Sequence, residues 1–135
     1  MILIDTSAFI EFLNRTGSRE DILIEQLIRN NDDIALADIT LTEILQGIKT
    51  DREYRDVKAS LLTFPILSLK SPESNIAAAE LYRKCRKKGL TIRSTVDLLI
   101  AQIALEHGAS LLHNDRDFEA LAQVCDIRIY GNPRP

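Results

Sequence analysis

Short apolar segments alternate with segments of helical periodicity along most of the chain, and this alternation constrains the fold more than any other feature of the sequence. The first apolar segment, 2–4, ends at Asp5 and is followed at once by a helical pattern. The second, 34–37, again precedes a helical pattern. Strands alternating with helices are typical of βαβ units, in which successive strands run parallel beneath the helices. The pattern therefore predicts an α/β domain.

Five strands and seven helices are predicted from the periodicity. The strands are expected at 2–4, 34–37, 66–67, 110–113 and 127–130, and the helices at 8–13, 19–29, 40–49, 51 to the stop at Pro65, 72–88, 95–107 and 117–124. We expect a three-layer α/β/α sandwich on a mostly parallel sheet, with 1–135 as a single domain. Pro133 and Pro135 would lie in a tail that does not pair with the sheet.

Capping residues fix several of the predicted helix ends. Ser18 is a suitable N-cap for the second helix, and Ser71 followed by Pro72 has the order of an N-cap and a first helical proline. Gly89 and Gly108 follow the fifth and sixth helical patterns, where a C-terminal glycine is expected.

Charge and ligand chemistry restrict the kinds of function. With 17 basic and 20 acidic residues the net charge is −3, which argues against nucleic-acid binding through bulk charge alone. Only two histidines are present, and Cys85 and Cys125 are far apart and expected to be reduced, so oxygen ligands and Mg²⁺ or Mn²⁺ are favoured over zinc. No apolar run could span a membrane, and the N-terminus lacks the basic region of a signal peptide. A cytoplasmic protein is therefore expected.

Four acidic residues follow predicted strands or begin predicted helices. They are, in chain order, Asp5, Glu43, Asp97 and Asp115. In a parallel α/β sheet the carboxyl ends of the strands and the amino ends of the connecting helices share one edge, where ligands bind. Four acids that are far apart in sequence are therefore expected to meet at that edge.

Most of these acids also have a purely structural interpretation. Thr40 with Glu43 and Ser94 with Asp97 have the spacing of a capping box. Asp115 and the nearby Asp117 could be ordinary turn or N-cap residues. Asp5 fits such an interpretation less well, because an acid at the end of a buried strand is costly without a partner.

The four acids together favour a metal site. Two carboxylates about 5 Å apart repel each other by roughly 3 kcal/mol at an effective dielectric constant of about 20. Several such pairs at one edge need a cation, or protonation of some of the acids. A divalent ion would neutralise them and would also activate water and orient a phosphate.

The residues around the four acids resemble the motifs of PIN-domain nucleases of the VapC type, the toxins of prokaryotic toxin–antitoxin pairs. The matching segments run in family order through the chain and are Ile4-Asp5-Thr6-Ser7-Ala8, Thr42-Glu43-Ile44-Leu45-Gln46-Gly47, Asp97-Leu98-Leu99-Ile100-Ala101 and Asn114-Asp115-Arg116-Asp117-Phe118. Each motif alone is weak, whereas four at family-like spacing are specific. The resemblance implies a Rossmann-like sandwich with strand order 3-2-1-4-5 and cleavage of RNA that depends on Mg²⁺ or Mn²⁺.

The resemblance also implies roles for individual residues. Asp5 and Asp97 would be the principal metal ligands, and Asp115 would complete the cluster. Glu43 would bind metal or position the attacking water, and Ser7 would orient Asp5 through a hydrogen bond.

Two further residues near the fourth motif have open roles. Asp117 is either a fifth acid of the site or the N-cap of the last helix. His113 stands where the family often has a small hydroxyl residue, and it could contact substrate, tune the site or simply end the strand.

RNA and protein partners follow from the same resemblance. The dense basic run before Gly89 could be a solvated helix end. Alternatively, the RNA backbone could be contacted by Arg86, Lys87, Lys88 and Arg93. A homodimer is implied, as is a cognate antitoxin whose C-terminal segment covers the acidic site. Surplus apolar residues could form either interface or ordinary core, namely Ile22, Leu23, Leu27, Leu61 and Leu62.

Three other classes of protein fit the sequence less well. A response-regulator receiver needs an aspartate after its middle strand, but Ser68 follows the predicted third strand. A phosphatase of the haloacid-dehalogenase type needs a second aspartate two residues after Asp5, where Ser7 stands. A degenerate PIN domain that only binds would have lost an acid, and all four are present.

Overall fold

Five short parallel strands form the centre of the computed structural model, which describes residues 1–131. They are β1 (Ile2–Ile4), β2 (Ile34–Ala37), β3 (Ile66–Leu67), β4 (Ser110–Leu112) and β5 (Arg128–Ile129). Their order is β3-β2-β1-β4-β5 and all four pairs of neighbours are parallel, so the predicted fold class is confirmed. A receiver domain has the order 2-1-3-4-5, which this sheet excludes. The predicted tail with Pro133 and Pro135 lies outside the described residues.

Seven helices connect the strands within residues 1–131. They are α1 (Thr6–Leu13), α2 (Arg19–Arg29), α3 (Asp38–Gln46), α4 (Asp51–Leu61), α5 (Glu73–Lys87), α6 (Thr95–His107) and α7 (Arg116–Leu121). None of these helices combines the length and apolar character needed to cross a bilayer.

Successive strand residues point to opposite faces of the sheet and so build two hydrophobic cores. One core joins α1, α2, α3 and α4 to Ile4, Leu36 and Leu112. The other joins α5, α6 and α7 to Leu3, Ala35 and Leu111. The six strand residues just named are almost fully buried, which explains why β1, β2 and β4 read as continuous apolar runs rather than as alternating ones. The two cores account for the three predicted layers.

The strand order reverses between β1 and β4, and this position determines where a ligand can bind. The chain adds β2 and β3 on one side of β1 and then returns to place β4 on the other side. The loops after β1 and β4 therefore diverge towards opposite faces and leave a crevice at the carboxyl ends of the strands. Asp5 follows β1 and Asp115 comes three residues after the end of β4, so both lie at this crevice.

Several predicted helix starts are wrong by one or two residues. α3 begins at Asp38 with Ala37 at the N-cap, not at Thr40. α5 begins at Glu73, and Pro72 occupies the N-cap without a side-chain hydrogen bond, so Ser71 is not the cap. Ser18 is the N-cap of α2, as predicted. Gly108 ends α6 in the left-handed conformation (φ +60°), which confirms the predicted C-terminal glycine.

The last predicted elements are shorter than expected. β4 ends at Leu112 rather than at position 113, and β5 covers only two of the four predicted residues. α7 starts at Arg116 and ends at Leu121, whereas 117–124 was predicted. α1 starts at Thr6, two residues earlier than predicted, because the Asp5 carboxylate accepts the Ser7 N–H and caps the helix.

The surplus apolar residues divide between core and surface. Leu27 and Leu61 are buried in the core on the α1 to α4 side, so for these two residues the core-packing alternative holds. Ile22 and Leu62 are 49% and 58% exposed and stay available to a partner.

Both cysteines are free thiols, as predicted; Cys85 is the buried one.

Candidate metal centre

Three aspartates bring their carboxylates together at the crevice between β1 and β4. One oxygen atom from each of Asp97, Asp115 and Asp117 lies within 4.8 Å of the others. Asp97 stands in the first turn of α6, Asp115 is the N-cap of α7, and Asp117 follows in the first turn of α7. The three oxygens are thus close enough to share one cation.

Asp5 approaches this group from the end of β1. Its Oδ2 atom accepts the Ser7 N–H at 3.0 Å and also the Ser7 hydroxyl, which is the orienting contact expected of Ser7. Burial raises the pKa of Asp5 to about 6, with a further upward contribution from the charge of Glu43, while the Ser7 hydrogen bonds oppose the shift. Asp5 therefore caps α1 and at the same time extends the acidic cluster towards Glu43.

Asp97 is the electrostatic centre of the cluster. Burial raises its pKa to about 8, and the negative charges of Asp5 and Asp115 and a hydrogen bond with Asp117 push the pKa in the same direction. Its Oδ2 atom is buried and has no hydrogen-bond partner among residues 1–131. A buried carboxylate oxygen without a donor is costly, and a cation would supply the missing partner.

Glu43 is held by α1 rather than by its own helix. The Thr6 hydroxyl donates to Glu43 Oε1 at 2.7 Å, and Thr40 Oγ1 lies 3.3 Å from Thr6 Oγ1. Because Ala37 is the N-cap of α3 and makes no side-chain capping bond, the capping-box interpretation of Thr40 and Glu43 is wrong. Glu43 instead faces the end of β1, where its charge acts on Asp5.

The structural interpretations of the other acids have mixed outcomes. Ser94 is the N-cap of α6 but makes no side-chain capping bond, so Ser94 and Asp97 do not form a capping box. Asp115 does cap α7, because its Oδ1 accepts the Asp117 N–H at 3.0 Å. The N-cap alternative for Asp117 is therefore wrong.

Asp117 has a role that the sequence did not indicate. Its Oδ2 accepts the N–H groups of Arg93 and Ser94 at 3.0 and 3.2 Å, and Arg93 Nε lies 3.4 Å from its Oδ1. Asp117 thus fixes the loop that leads into α6 and sets the position of Asp97. Contacts across more than twenty residues leave no local sequence signal.

Residues between β4 and α7 tie the two strand ends together. The Asn114 N–H donates to Ser7 Oγ at 2.9 Å, which joins this loop to the start of α1. The Asp115 N–H donates to His113 Nδ1 at 3.1 Å, and the His113 ring packs at 5.0 Å from the Phe118 ring. His113 follows the end of β4 and supports the backbone of Asp115.

The predicted RNA-contacting residues do not all lie at the crevice. Arg93 lines a cavity of about 420 Å³ that borders Asp115. Arg86, Lys87 and Lys88 are exposed at the C-terminal end of α5, and within residues 1–131 they do not line that cavity. The role of these three residues stays a prediction.

The donor atoms at the centre fit a hard divalent cation. All the converging side chains named above offer carboxylate oxygen, and oxygen-rich sites suit Mg²⁺ or Mn²⁺ better than Zn²⁺. A cation beside Asp97 Oδ2 would supply the partner that this buried oxygen lacks among residues 1–131.

Comparison with known proteins gives one consistent result. The profile described as the PIN domain matches residues 2–124. A VapC ribonuclease of Mycobacterium bovis and ribonuclease VapC11 of Mycobacterium tuberculosis are each 35% identical over 129 residues, covering 95% of this chain and 96% of the relative. The solved structure of VapBC2 from Rickettsia felis, bound to a DNA fragment of its promoter, superposes with a TM-score of 0.74 at 23% identity. That structural match covers 96% of this chain and 97% of the other and bears on the fold alone.

Proposed function

Because the chain belongs to the PIN-domain family, we propose that it is a metal-dependent endoribonuclease that hydrolyses RNA phosphodiester bonds. One observation carries the proposal most directly. Asp97 places a buried carboxylate oxygen, which has no hydrogen-bond partner among residues 1–131, near other acids at the crevice of the sheet. These acids repel one another unless a cation lies between them. The ribonuclease names of relatives that share 35% of their residues with this chain support the reaction class.

In this proposal Asp5, Asp97 and Asp115 hold Mg²⁺ or Mn²⁺. A bound divalent ion supplies a water of lowered pKa and stabilises negative charge on the phosphate oxygens. The protein contributes fixed positions for the ligands. Ser7 holds Asp5 by two hydrogen bonds, and the capping bond to the Asp117 N–H holds Asp115. Both ligands are thereby oriented before substrate arrives.

Glu43 is proposed to orient the attacking water and to accept its proton. Its Oε1 is already bonded to the Thr6 hydroxyl at 2.7 Å, which fixes the carboxylate at the end of β1 beside Asp5. A general base needs such a fixed position within reach of the proton it removes.

The wider biological role is proposed from the relatives. The VapC names of two relatives, together with the four VapC-type motifs of the sequence, support a toxin that pairs with an antitoxin protein. We also propose that the protein is a cytoplasmic homodimer and that 1–135 is a single domain. The proposed RNA contacts are Arg86, Lys87, Lys88 and Arg93. Exposed Ile22 and Leu62 offer apolar surface to such protein partners.

RNA cleavage by purified protein tests the proposal. We expect cleavage with Mg²⁺ or Mn²⁺, none with a chelator, and at least roughly a 100-fold loss of rate in Asp5→Asn and Asp97→Asn. Asp32→Asn, which removes an exposed acid in the turn after α2, is the matched control and should cleave like wild type. Equal cleavage by all four proteins, or none by wild type with structured and unstructured RNA, would contradict the proposal.

A further inference from the structure

A second feature adjoins the metal centre on its β4 and β5 side. It is the cavity of about 420 Å³ that Asp115 borders, and its walls carry Arg19, Arg93, Arg116 and Tyr130. Three arginines around one cavity are unexpected in a chain with more acidic than basic residues. We refer to this feature as the arginine cavity.

The arginines come from three separate elements and differ in their engagement. Arg93 is bonded to Asp117 at the metal centre. Within residues 1–131, Arg19 at the start of α2 and Arg116 at the start of α7 form no salt bridge. Two guanidinium groups thus remain available to an anion that enters the cavity.

The turn after β5 closes the cavity against α2. Gly131 has φ +66°, and a Cβ at this position would lie 2.9 Å from Leu23 Cδ1 and 3.2 Å from Arg19 Nη2. The absence of a side chain therefore lets this turn pass close to Leu23 and Arg19 on α2, and Tyr130 and Arg19 line the same cavity. The cavity is a product of this close approach and was not apparent from any sequence motif.

From this arrangement we infer that the arginine cavity binds one unpaired nucleotide of the RNA strand, next to the phosphate that is cleaved. The inference rests on the proposed nuclease function. Arginine binds phosphate oxygens through paired N–H donors, and a tyrosine ring provides a stacking surface for a base. Asp115 belongs both to the cavity and to the cluster of acids, so a nucleotide in the cavity is adjacent to the metal centre.

The remaining walls favour a nucleotide over a bare phosphate. Glu20 and Glu119 also line the cavity, and their carboxylates repel additional phosphate while accepting hydrogen bonds from the N–H groups of a base. A ligand with one phosphate, a flat ring and N–H donors matches these walls, and an unpaired nucleotide has all three. Unpaired bases are also the form in which proteins read RNA sequence.

The test measures RNA binding in the presence of a chelator, which separates binding from cleavage. The probe is a fluorescein-labelled single-stranded RNA of about twelve nucleotides of mixed sequence. Arg19→Gln, Arg116→Gln and Tyr130→Ala should each raise Kd roughly tenfold. Arg55→Gln, which removes an exposed arginine on α4, is the matched control and should bind like wild type. Each arginine substitution should also lower the slope of log Kd against log salt by about 0.7, as expected when one phosphate contact is lost.

A second measurement guards against misfolded variants. RNA containing 4-thiouridine should crosslink to Tyr130 in the wild-type protein, and mass spectrometry locates the site without any substitution. If cleavage occurs but the three variants bind and crosslink like the control, the arginine cavity is not a nucleotide site and the nuclease proposal stands. If wild type never cleaves, yet the variants lose binding and Tyr130 crosslinks, the nuclease proposal fails and the inference is reduced to RNA binding. Crosslinking only at α5, with unchanged binding by the variants, would also overturn the inference.

Discussion

Two buried aspartates, Asp97 and Asp21, have almost the same exposure but opposite surroundings. Asp97 is 7% exposed and Asp21 is 3% exposed. Asp21 Oδ1 lies 3.2 Å from Arg15 Nη1, and its Oδ2 accepts the Gly17 N–H at 2.9 Å. Each aspartate has one buried oxygen without a hydrogen bond among residues 1–131, but that of Asp21 lies beside the Arg15 cation, whereas Asp97 has acidic residues as neighbours. Burial alone therefore does not mark a functional acid.

The difference lies in what compensates the buried charge. At the corner between α1 and α2, the protein itself supplies a cation and an N–H group for Asp21, so the acid stabilises the fold. At the crevice the protein supplies further carboxylates, so compensation must come from outside. Perturbed acids of this second kind are typical of functional sites.

Without metal, the raised pKa values of Asp97 and Asp5 should make the stability of the protein depend on pH. The folded-state pKa of Asp97 is about 8 and that of Asp5 about 6, both above their ordinary value of 3.8. Between about pH 4 and pH 8, the folded protein therefore binds more protons than the unfolded chain. As far as these two groups are concerned, stability is greatest below about pH 4 and should fall as pH rises to about 8.

Thermal unfolding in a chelator checks this expectation. We expect the Tm to fall on the order of 10 °C between pH 5 and pH 8.5, and Mg²⁺ or Mn²⁺ to restore it at the higher pH. Asp97→Asn removes the charge at constant size, so it should flatten the decline above pH 6 and weaken the response to metal. A wild-type Tm that rises with pH in the chelator would show that Asp97 is compensated within the protein.

The sequence predicted that Asp97 and Asp115 come together because that convergence depends on topology. Asp5 directly follows a strand, Asp97 begins a helix, and parallel strands bring such positions to one edge. Local spacing was a weaker guide. The capping-box pattern of Thr40 and Glu43 is present in the sequence, but Thr6, 37 residues away in the chain, holds Glu43 instead.

Features that depend on long-range contacts could not be predicted. Asp117 fixes the backbone of Arg93 and Ser94, which lie 24 and 23 residues earlier in the chain. The arginine cavity exists because β5 and the turn at Gly131 reach α2, and nothing in either segment alone indicates this. The sequence therefore located the acids, whereas the contacts that orient them required the structure.

The second prediction concerns the compensated aspartate. Asp21→Ala leaves the Gly17 N–H without its acceptor and the Arg15 guanidinium without this partner, so the free energy of unfolding should fall by about 2 kcal/mol. Asp21→Asn keeps an acceptor for the N–H and should lose less. RNA cleavage per folded molecule should be unchanged in both variants. If chemical denaturation shows either variant to be more stable than wild type, Asp21 belongs with Asp97 rather than opposite it.

The third and smallest effect is expected at Glu43, which is intermediate between the two aspartates because, in the part of the chain that the structure describes, the Thr6 hydroxyl is its one hydrogen-bond partner. Thr6→Val removes the donor to Glu43 Oε1 while keeping the shape of the side chain. We expect roughly a tenfold lower kcat for RNA cleavage with little change in KM, since an orienting hydrogen bond to a functional carboxylate is lost. Thr6→Ser keeps the hydroxyl and should restore the rate. A loss of rate shared by Thr6→Ser, or one that tracks a lower Tm, would mean that Thr6 only packs against α3, and Glu43 would then need another residue to hold it.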